Sequence, residues 1–352
     1  MAYVLEEMAA QVDALGGDVR ALHGPVLAAA RQVAAGWAKV EHVYVTGSGD
    51  SHHAALAAEM AFTELAGVVC LPLSALRLLK YGLPRAETAR AALVVGVSAS
   101  GGHPLVAEAL RQADTRGART LAVTSTAGSP VTAAAEAALV APLPSLRPCP
   151  GLRTYQASLL ALLLSAVELG RVRGRAAPGR DDLARELREV AGAVEETAAA
   201  TWPRARHVAE LIAAAPVTMV LGSGPGYGGA RFAAAKLVEA AGAFATAQDL
   251  EEWEHVEALA RPSGLPTLVI AAPGRSRARA VQVAARARER GRPVVVVADD
   301  RDGPAAFADL VLPLRGTVRE EFSALRSSVF AGAVAFELAS RLGVAPFSTR
   351  TA

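Results

Sequence analysis

An internal repeat constrains the fold of this chain more than any other feature of its sequence. The segment HVYVTGSGDSHHAALAAEMAFTELAG contains an apolar strand, a Gly/Ser turn and an alanine-rich helix, and VTMVLGSGPGYGGARFAAAKLVEAAG has the same plan. Gly222 in the second segment corresponds to Gly47 in the first, half a chain length earlier. The chain is therefore expected to fold as two similar halves.

Each half continues with the same order of elements. A second strand and turn, AALVVGVSASGGHP or PTLVIAAPGRSRAR, precede a helix and a third strand, RTLAVTS or PVVVVAD. Continuous Val, Ile and Leu runs that alternate with helices indicate parallel strands buried on both faces. The predicted fold class is α/β, with two doubly wound parallel-sheet domains in tandem, each a flavodoxin-like three-layer αβα structure.

A linker separates the two predicted domains. The segment VRGRAAPGRDD is rich in Gly, Pro and Arg, as linkers between domains are. We place the boundary near residue 180, which gives a first domain at residues 1–180 and a second at residues 181–352. The opening helix and the closing segment SALRSSVFAGAVAFELASRLG are expected to pack against the two sheets.

Composition excludes several classes of protein. The 36 basic and 34 acidic residues are spread along the chain and leave a net charge of +2, so no basic face for nucleic acid is expected. The N-terminus MAYVLEEMAAQ has acidic residues where a signal peptide has basic ones, and no apolar run reaches the roughly 18 residues of a membrane span. A soluble cytoplasmic protein is expected. Cys70 and Cys149 fit structural thiols in a reducing compartment.

No metal or other cofactor is predicted. His52 and His53 are adjacent, and neighbouring residues on a helix point apart. No acidic residue or cysteine completes a ligand set with them at suitable spacing.

The Gly-rich turns are candidate anion sites, because such turns present backbone N–H groups at the start of a helix. The turn GSGDS, Gly47 to Ser51, lacks the third glycine of a dinucleotide fingerprint and could be a tight turn only. In SASGGHP, the hydroxyls of Ser98 and Ser100 could converge with the N–H groups of Gly101 and Gly102 on one phosphate. His103 could add a cationic donor. The alternative is that these residues serve only the turn.

The two turns, the Ser-x-Ser-Gly loop and the acidic segment QDLEEWEHVEAL resemble the tandem SIS (sugar isomerase) domains in the isomerase half of glucosamine-6-phosphate synthase and its relatives. The resemblance extends over nearly the whole chain and includes the opening helix. It implies that a phosphorylated sugar binds with its phosphate on Ser98 and Ser100, supported by the first turn at Ser48 and Ser51.

The resemblance also supplies candidate catalytic residues in the second half. Lys236, Glu239 and His255 fall on the positions of a Lys, a Glu and a His that the family uses, and sixteen positions separate Glu239 from His255 without a gap. Glu239 would be the base that moves hydrogen between C1 and C2, and His255 would exchange protons during ring opening. Lys236, one helical turn before Glu239, would hold its carboxylate ionised. The family also implies a homodimer with composite sites.

Structural alternatives remain for the same residues. Lys236 and Glu239 could be a solvated helical pair, and His255 could be a surface histidine among acids. The acidic neighbours of His255 are expected to be partly solvated, although Glu252 stands where the family carries a Glu that orients the loop. We expect Trp253 to pack in the core rather than stack on a sugar. The acidic neighbours concerned are Glu251, Glu252 and Glu254.

The chain departs from the synthase pattern at several positions. The family has a Lys near its C-terminus that forms an imine with the ketose, whereas the chain ends APFSTRTA, and Arg350 cannot act as that amine. The glutaminase domain has no counterpart here, so no release of ammonia from glutamine is expected. Gly102 and His103 replace the usual polar residues of the phosphate loop. The segment CPGLRTYQ and the HVE that follows the loop also differ from the family.

These departures make ordinary glucosamine 6-phosphate synthesis improbable. The predicted function is that of a phosphosugar isomerase, or an amino-sugar-phosphate isomerase or deaminase, that transfers a proton between C1 and C2. Two alternatives stay open. One is a non-catalytic regulatory protein that binds a sugar phosphate, and the other is an enzyme of this type acting on an unphosphorylated sugar-like substrate.

Overall fold

The computed structural model describes residues 4–144, 147–175, 182–299 and 303–348. The chain divides into two compact units. The N-terminal unit contains Gly17–Pro144 and Arg153–Ala191, and the C-terminal unit contains Met1–Gly16, Ser145–Leu152 and Gly192–Ala352. The predicted boundary near residue 180 lies outside the described residues.

The N-terminal unit is built on a five-stranded parallel sheet with the strand order β2-β1-β3-β4-β5. In register, Val45 of β1 faces Val95 of β3, and Val95 faces Leu121 of β4. Every residue of β3 is buried, as its continuous apolar sequence predicts. The strands are β1 (His42–Gly47), β2 (Val69–Ser74), β3 (Ala92–Val97), β4 (Arg119–Thr124) and β5 (Ala137–Val140).

The C-terminal unit contains a second five-stranded parallel sheet, with the order β10-β9-β8-β6-β7. Val269 of β8 faces Val296 of β9, and all residues of β6, β8 and β9 are buried. The strands are β6 (Thr218–Leu221), β7 (Ala245–Gln248), β8 (Thr267–Ile270), β9 (Val294–Ala298) and β10 (Leu310–Pro313).

The two sheets confirm the predicted fold class. Counted within its own unit, each sheet has the strand order 2-1-3-4-5 of flavodoxin-like folds. The order reverses between β1 and β3 in the first unit and between β6 and β8 in the second. Such reversals open a crevice at the carboxyl ends of the strands, where doubly wound folds bind ligands. The turns after β1 and β3 hold the predicted phosphate-binding residues, and the helix that follows the turn after β6 carries Lys236 and Glu239.

Helices cover the sheets and connect the strands. Apolar positions at helical spacing explain the burial of Val106, Ala109, Leu110 and Ala113 on one face of the helix after β3. The helices are α1 (Glu6–Ala34), α2 (Asp50–Ala61), α3 (Ala75–Arg77), α4 (Ala86–Ala89), α5 (Pro104–Thr115), α6 (Arg153–Val172), α7 (Leu183–Ile212), α8 (Pro225–Ala241), α9 (Leu250–His255), α10 (Arg277–Glu289), α11 (Ser323–Ser327) and α12 (Phe330–Leu342).

The repeated Gly/Ser turns have nearly the same backbone in both units. Gly49 before α2 has φ 55° and ψ −128°, and Gly224 before α8 has φ 55° and ψ −133°. A side chain at Gly47 would place its Cβ 2.6 Å from the Cβ of Ser51, so the strand approaches the next helix too closely for any other residue. The internal repeat is thus one of backbone conformation as well as of sequence.

Two segments, Arg153–Val172 and Glu320–Leu342, are long and apolar enough to cross a membrane by length and composition. Inside the protein, 89% of the most apolar window in each is buried. Core helices of globular proteins meet the same criteria, so these segments are weak evidence for a membrane span.

The buried imidazole of His23 makes the stability of the N-terminal unit depend on pH. Its Nε2 donates to the carbonyl oxygen of Ala184 at 2.6 Å. Burial lowers the pKa of His23, the hydrogen bond to Ala184 opposes this effect, and Arg188 and Arg31 lower the pKa further. The unfolded chain therefore binds a proton more readily than the folded protein.

We expect the contribution of His23 to the free energy of unfolding to be complete above about pH 6.5 and to fall as the pH decreases below that value. His23→Gln should flatten this part of the pH dependence, because a neutral amide can still donate to Ala184. Urea unfolding between pH 7.5 and 5.5 measures the effect, with the exposed His207→Gln as control. An unchanged pH profile for His23→Gln would contradict the assignment.

Candidate functional site

The turn after β3 has the conformation of a loop that leads into a helix N-terminus. The N–H of Ser98 donates to Val123 of the neighbouring strand, and the N–H of Gly101 donates to the carbonyl of Ser98, both at 2.9 Å. The N–H of Gly102 lies 3.3 Å from Ser100 Oγ. Ser98 is buried at 5% exposure, whereas Ser100 and Gly102 are exposed. The exposed groups of the predicted phosphate loop are thus Ser100 and Gly102, and the N–H of Gly101 is already bonded.

Gly101 shapes this loop. Its φ of +69° lies in the left-handed region, and an added Cβ would collide with the Ser129 side chain. Its carbonyl oxygen accepts the N–H of Val131 at 3.0 Å, which fixes the loop on the segment after β4. Gly102, by contrast, has only Ser100 Oγ, at 3.7 Å, within reach of an added Cβ. The contribution of Gly101 is therefore conformational.

His103 is the N-cap residue of α5 and is half-buried. Its Nδ1 is buried and has no hydrogen-bond partner among the residues that the structure describes. In the turn after β1, Ser48 is exposed, and Ser51 lies half-buried in the first turn of α2. Because β1 and β3 are neighbours and both turns follow their carboxyl ends, the structure brings the two predicted phosphate-binding segments to the same edge of the sheet.

Helix α8 of the C-terminal unit carries the predicted catalytic pair. Lys236 is fully buried, at 0% exposure, and its Nζ lies 2.5 Å from Glu239 Oε2. The Phe232 ring lies 5.1 Å from the same ammonium group. The Glu239 side chain is 27% exposed. The pair is therefore not a solvated surface pair: one member is inside the protein, and the other reaches the surface.

Residues 147–152 belong to the same unit and lie close to Lys236. Gln11 Nε2 donates to Cys149 Sγ at 2.8 Å, and Gln11 Oε1 accepts the N–H of Leu152 at 3.1 Å. Burial, and next the carboxylate of Glu7, raise the pKa of the Cys149 thiol to about 12, while the ammonium of Lys236 opposes this effect. Cys149 thus stays protonated at neutral pH, as expected of a structural thiol. Burial also raises the pKa of Cys70.

The end of the described chain contacts α8. The N–H of Phe347 donates to the carbonyl oxygen of Glu239 at 2.7 Å, and Phe347 has a positive φ of 54°. Arg350, which takes the region of the family's imine-forming lysine, lies outside the described residues. The contacts of Gln11, Cys149 and Phe347 near α8 join distant parts of the chain, so no local sequence pattern could have identified them.

Asp249 fixes the start of the acidic segment after β7. Asp249 caps α9 by accepting the N–H of Glu251, and it accepts the hydroxyl of Ser223 at 2.5 Å. Trp253 is completely buried in the core of the unit, which confirms that it packs. Arg292 lies over the Trp253 ring and donates to the carbonyl oxygen of Glu257 at 2.6 Å.

Arginines of α10 neutralise part of this segment. Glu251 pairs with Arg279 at 2.7 Å, and Glu254, whose side chain is largely buried, pairs with Arg286. Glu252 is exposed, in line with the predicted partial solvation. The His255 side chain is 70% exposed, and its Nε2 lies 3.2 Å from Glu251 Oε1. The structure thus pairs Lys236 with Glu239 but holds His255 on Glu251, a partner that the sequence did not indicate.

Among the described residues, no group of three or more His, Cys, Asp or Glu side chains could hold a metal ion.

Comparison with known proteins gives these arrangements a family context. Residues 37–167 match the SIS domain family model. This segment begins just before β1 and ends in α6, so it contains the first sheet and both candidate phosphate turns.

Relatives of known name cover more of the chain. The chain is 29% identical to the isomerizing glutamine-fructose-6-phosphate aminotransferase of Streptomyces coelicolor over an alignment of 240 residues. The alignment covers 68% of this chain and 38% of that protein. The chain thus spans less than half the length of that relative.

Solved structures show the same fold over almost the whole chain. The C-terminal domain of glucosamine-fructose-6-phosphate aminotransferase from Francisella tularensis has a TM-score of 0.87 at 16% identity, covering 97% of both chains. Glucosamine-6-phosphate deaminase from Thermotoga maritima has a TM-score of 0.74 at 18% identity, covering 97% of this chain and 95% of that one.

The geometry of the phosphate loop predicts a contrast between its two glycines. Gly101→Ala should destabilise the protein by roughly 1–3 kcal/mol, because alanine is strained at positive φ and its Cβ meets Ser129. Gly102→Ala should change stability by no more than about 0.5 kcal/mol, because its Cβ has room. Urea unfolding of both variants checks the prediction, which equal losses at the two positions would contradict.

Proposed function

We propose that this protein is an enzyme of the SIS type that acts on a phosphorylated sugar or amino sugar by proton transfer between C1 and C2. The observation that carries the proposal is the pair formed by the buried Lys236 and the partly exposed Glu239. Burying an ammonium group completely costs roughly several kcal/mol of hydration free energy unless a partner compensates its charge. Such an arrangement supports a role for Glu239 as a carboxylate held ionised.

Glu239 is proposed to be the base. It removes the proton from C2 of the open-chain aldose, and the electrons form an enediolate with its charge on O1. The hydroxyl proton of O2 passes to O1, and the same carboxyl group returns its proton to C1, which gives the ketose. With an amino group on C2, the same transfer leaves an imine at C2, which water hydrolyses to a ketone and ammonia. Neither the isomerisation nor the deamination needs an amine nucleophile near the C-terminus, so both reactions are compatible with Arg350 in that region.

His255 is proposed to exchange protons at the ring oxygen and the anomeric hydroxyl during ring opening. Its exposed position and its contact with Glu251 leave the imidazole accessible to a ligand. As the family resemblance implies, we propose that the protein forms a homodimer in which His255 serves the site of the other subunit. The cytoplasm remains the predicted location.

The substrate phosphate is proposed to bind the loop after β3. Ser100 and the N–H of Gly102 are exposed there, and the start of α5 adds a positive dipole end. The buried Nδ1 of His103 supports a contact with an anion or with a loop residue that moves on binding. Ser98, Ser48 and Ser51 complete the proposed set.

A substrate without phosphate is a second candidate. The observation in its favour is the loop itself: Gly102 and His103 replace polar residues that the family carries there. A thermal-shift panel of hexose 6-phosphates, their 2-amino forms and the unphosphorylated sugars separates the two, because a ligand that binds the native state raises its melting temperature. Ser100→Ala should reduce stabilisation by the phosphorylated compounds only.

Glu239→Gln should abolish turnover and leave sugar-phosphate affinity within a few-fold of the wild type. The amide preserves the shape of the side chain but cannot accept the C2 proton. The measurement is exchange of the C2 hydrogen with deuterated water, followed by NMR on the ligands that the thermal-shift panel identifies. This exchange reports proton transfer whether the product is a ketose or ammonia.

Glu289→Gln is the matched control, since Glu289 is an exposed carboxylate at the end of α10 in the same unit. It should retain wild-type exchange. A Glu239→Gln variant that exchanges the proton at the wild-type rate would refute Glu239 as the base. Exchange that is absent from the wild type, together with ligand binding, would favour the alternative of a non-catalytic regulatory protein.

A further inference from the structure

The two units allow their second turns to be compared residue by residue. Ser98 donates its N–H to Val123 of β4, and Ala271 donates its N–H to Val297 of β9, each at 2.9 Å. Counting onward from these two residues, Gly274 corresponds to Gly101 and Arg275 corresponds to Gly102. The helices α5 and α10 then begin at equivalent positions, at Pro104 and Arg277. No gap is needed at any point.

The two loops differ in what lies against them. In the first unit, the position of Gly102 is open, with only Ser100 Oγ near an added Cβ. In the second, the N–H of Arg275 donates to Glu320 Oε1 at 2.8 Å, and the Arg275 Nε lies 3.8 Å from Glu320 Oε2. The same carboxylate also occupies the space into which a Cβ at Gly274 would project. The Glu320 carboxylate thus accepts the N–H of Arg275, which corresponds in position to the N–H of Gly102 in the first loop.

The surroundings of Glu320 fit a small anion site. The carboxylate lines a small cleft of about 10 Å³, room for about one water molecule, between the turn after β6 and the turn after β8, where the strand order of the second sheet reverses. Ser223, Ser276 and Ser323 line the same cleft, and the Glu320 side chain is only 19% exposed. Pro225 and Gly226, in the first turn of α8, also line the cleft.

We propose that Glu320 is a tethered anion that fills the second unit's counterpart of the phosphate loop. The comparison with the first loop rests on the proposed function, but the occupancy of the second loop by a carboxylate does not. Ala271 and Pro273 stand where the first loop has Ser98 and Ser100, so the second loop lacks the Ser-x-Ser pair of the first and offers its backbone N–H to a carboxylate.

Because the Glu320 carboxylate fills the second loop, this loop has no room for a free anion. A free anion approaching the loop would meet the charge of Glu320 at close range, which disfavours binding. The chain would therefore bind one sugar phosphate, through its N-terminal unit, even though both units repeat the same order of strand, loop and helix.

Removing the tethered carboxylate should create a site for a free one. Glu320→Ala is expected to lower the melting temperature by ~2–4 °C, the shift that corresponds to about 1 kcal/mol in a unit of this size. Acetate, titrated at constant ionic strength with sodium chloride, should restore much of that loss. Wild-type protein, whose loop is filled, should show no acetate-specific stabilisation.

Glu320→Gln is the matched control, because its amide fills the cleft without a negative charge. It should lose stability but gain nothing from acetate, since the space remains occupied. Should Glu320→Ala fail to fold, Glu320→Ser tests the same prediction with a smaller loss of polarity. Equal responses of the Ala, Gln and wild-type proteins to acetate would overturn the proposal.

The outcome is independent of the proposed function. Acetate rescue of Glu320→Ala reports on the second loop alone, whereas sugar-phosphate stabilisation of the wild-type protein reports on the first. Rescue without any sugar-phosphate effect would sustain the tethered anion and refute the proposed substrate class. The reverse pattern would leave the proposed function standing and refute the tethered anion.

Discussion

Both sheets of this protein are buried on both faces, and this constraint decides where polar chemistry can lie. Strands such as β3 and β9 contact helices with apolar side chains throughout their length. A charged group placed in the middle of such a strand would lose its hydration without gaining a partner, at a cost of several kcal/mol, roughly. The functional candidates therefore collect in the turns that follow the strands and on the helices that begin there.

Among these candidates, Lys236 has its ammonium group inside the protein. The Glu239 carboxylate and the Phe232 ring compensate the charge. Removing one partner of a buried ion pair typically costs about 3–5 kcal/mol, because the other charge is left unpaired, whereas a well-packed apolar side chain at the same position is often no less stable. Helix α8 thus carries a pair that packing alone does not require, and its carboxylate reaches the surface. That combination distinguishes it from an exposed helical pair such as Arg111 and Glu108 on α5.

The sequence predicted the parts of this structure that follow from local pattern. Alternating apolar strands and helices predicted two doubly wound sheets, and the spacing of Lys236 and Glu239 placed both on one helical face. Trp253 was expected to pack because large aromatic side chains contribute most by burial. These inferences need only neighbours along the chain or the period of a helix or strand.

What the sequence could not predict depends on contacts between distant segments. His255 pairs with Glu251, itself held by Arg279 of the next helix, and the long side chains of α10 gave no sign of this partner. Gln11 donates to Cys149 across 138 positions of the sequence. Glu320 reaches Arg275 across 45 positions, from a segment with no counterpart in the repeat pattern. The turn sequence APGRSRAR indicated only that the Ser-x-Ser pair was absent.

The two halves of the chain share their backbone geometry at some positions and differ in their side chains at others. In the first turns, Gly49 and Gly224 keep one backbone conformation, and at Gly47 and Gly222 the strand and the next helix approach too closely for a side chain. In the second turns, after β3 and β8, the side chains differ, because alanine and proline replace the hydroxyl pair of the first unit. A repeated fold thus preserves the geometry that its packing requires in both copies. Its chemistry can be confined to one copy by a single carboxylate that satisfies the second loop from within.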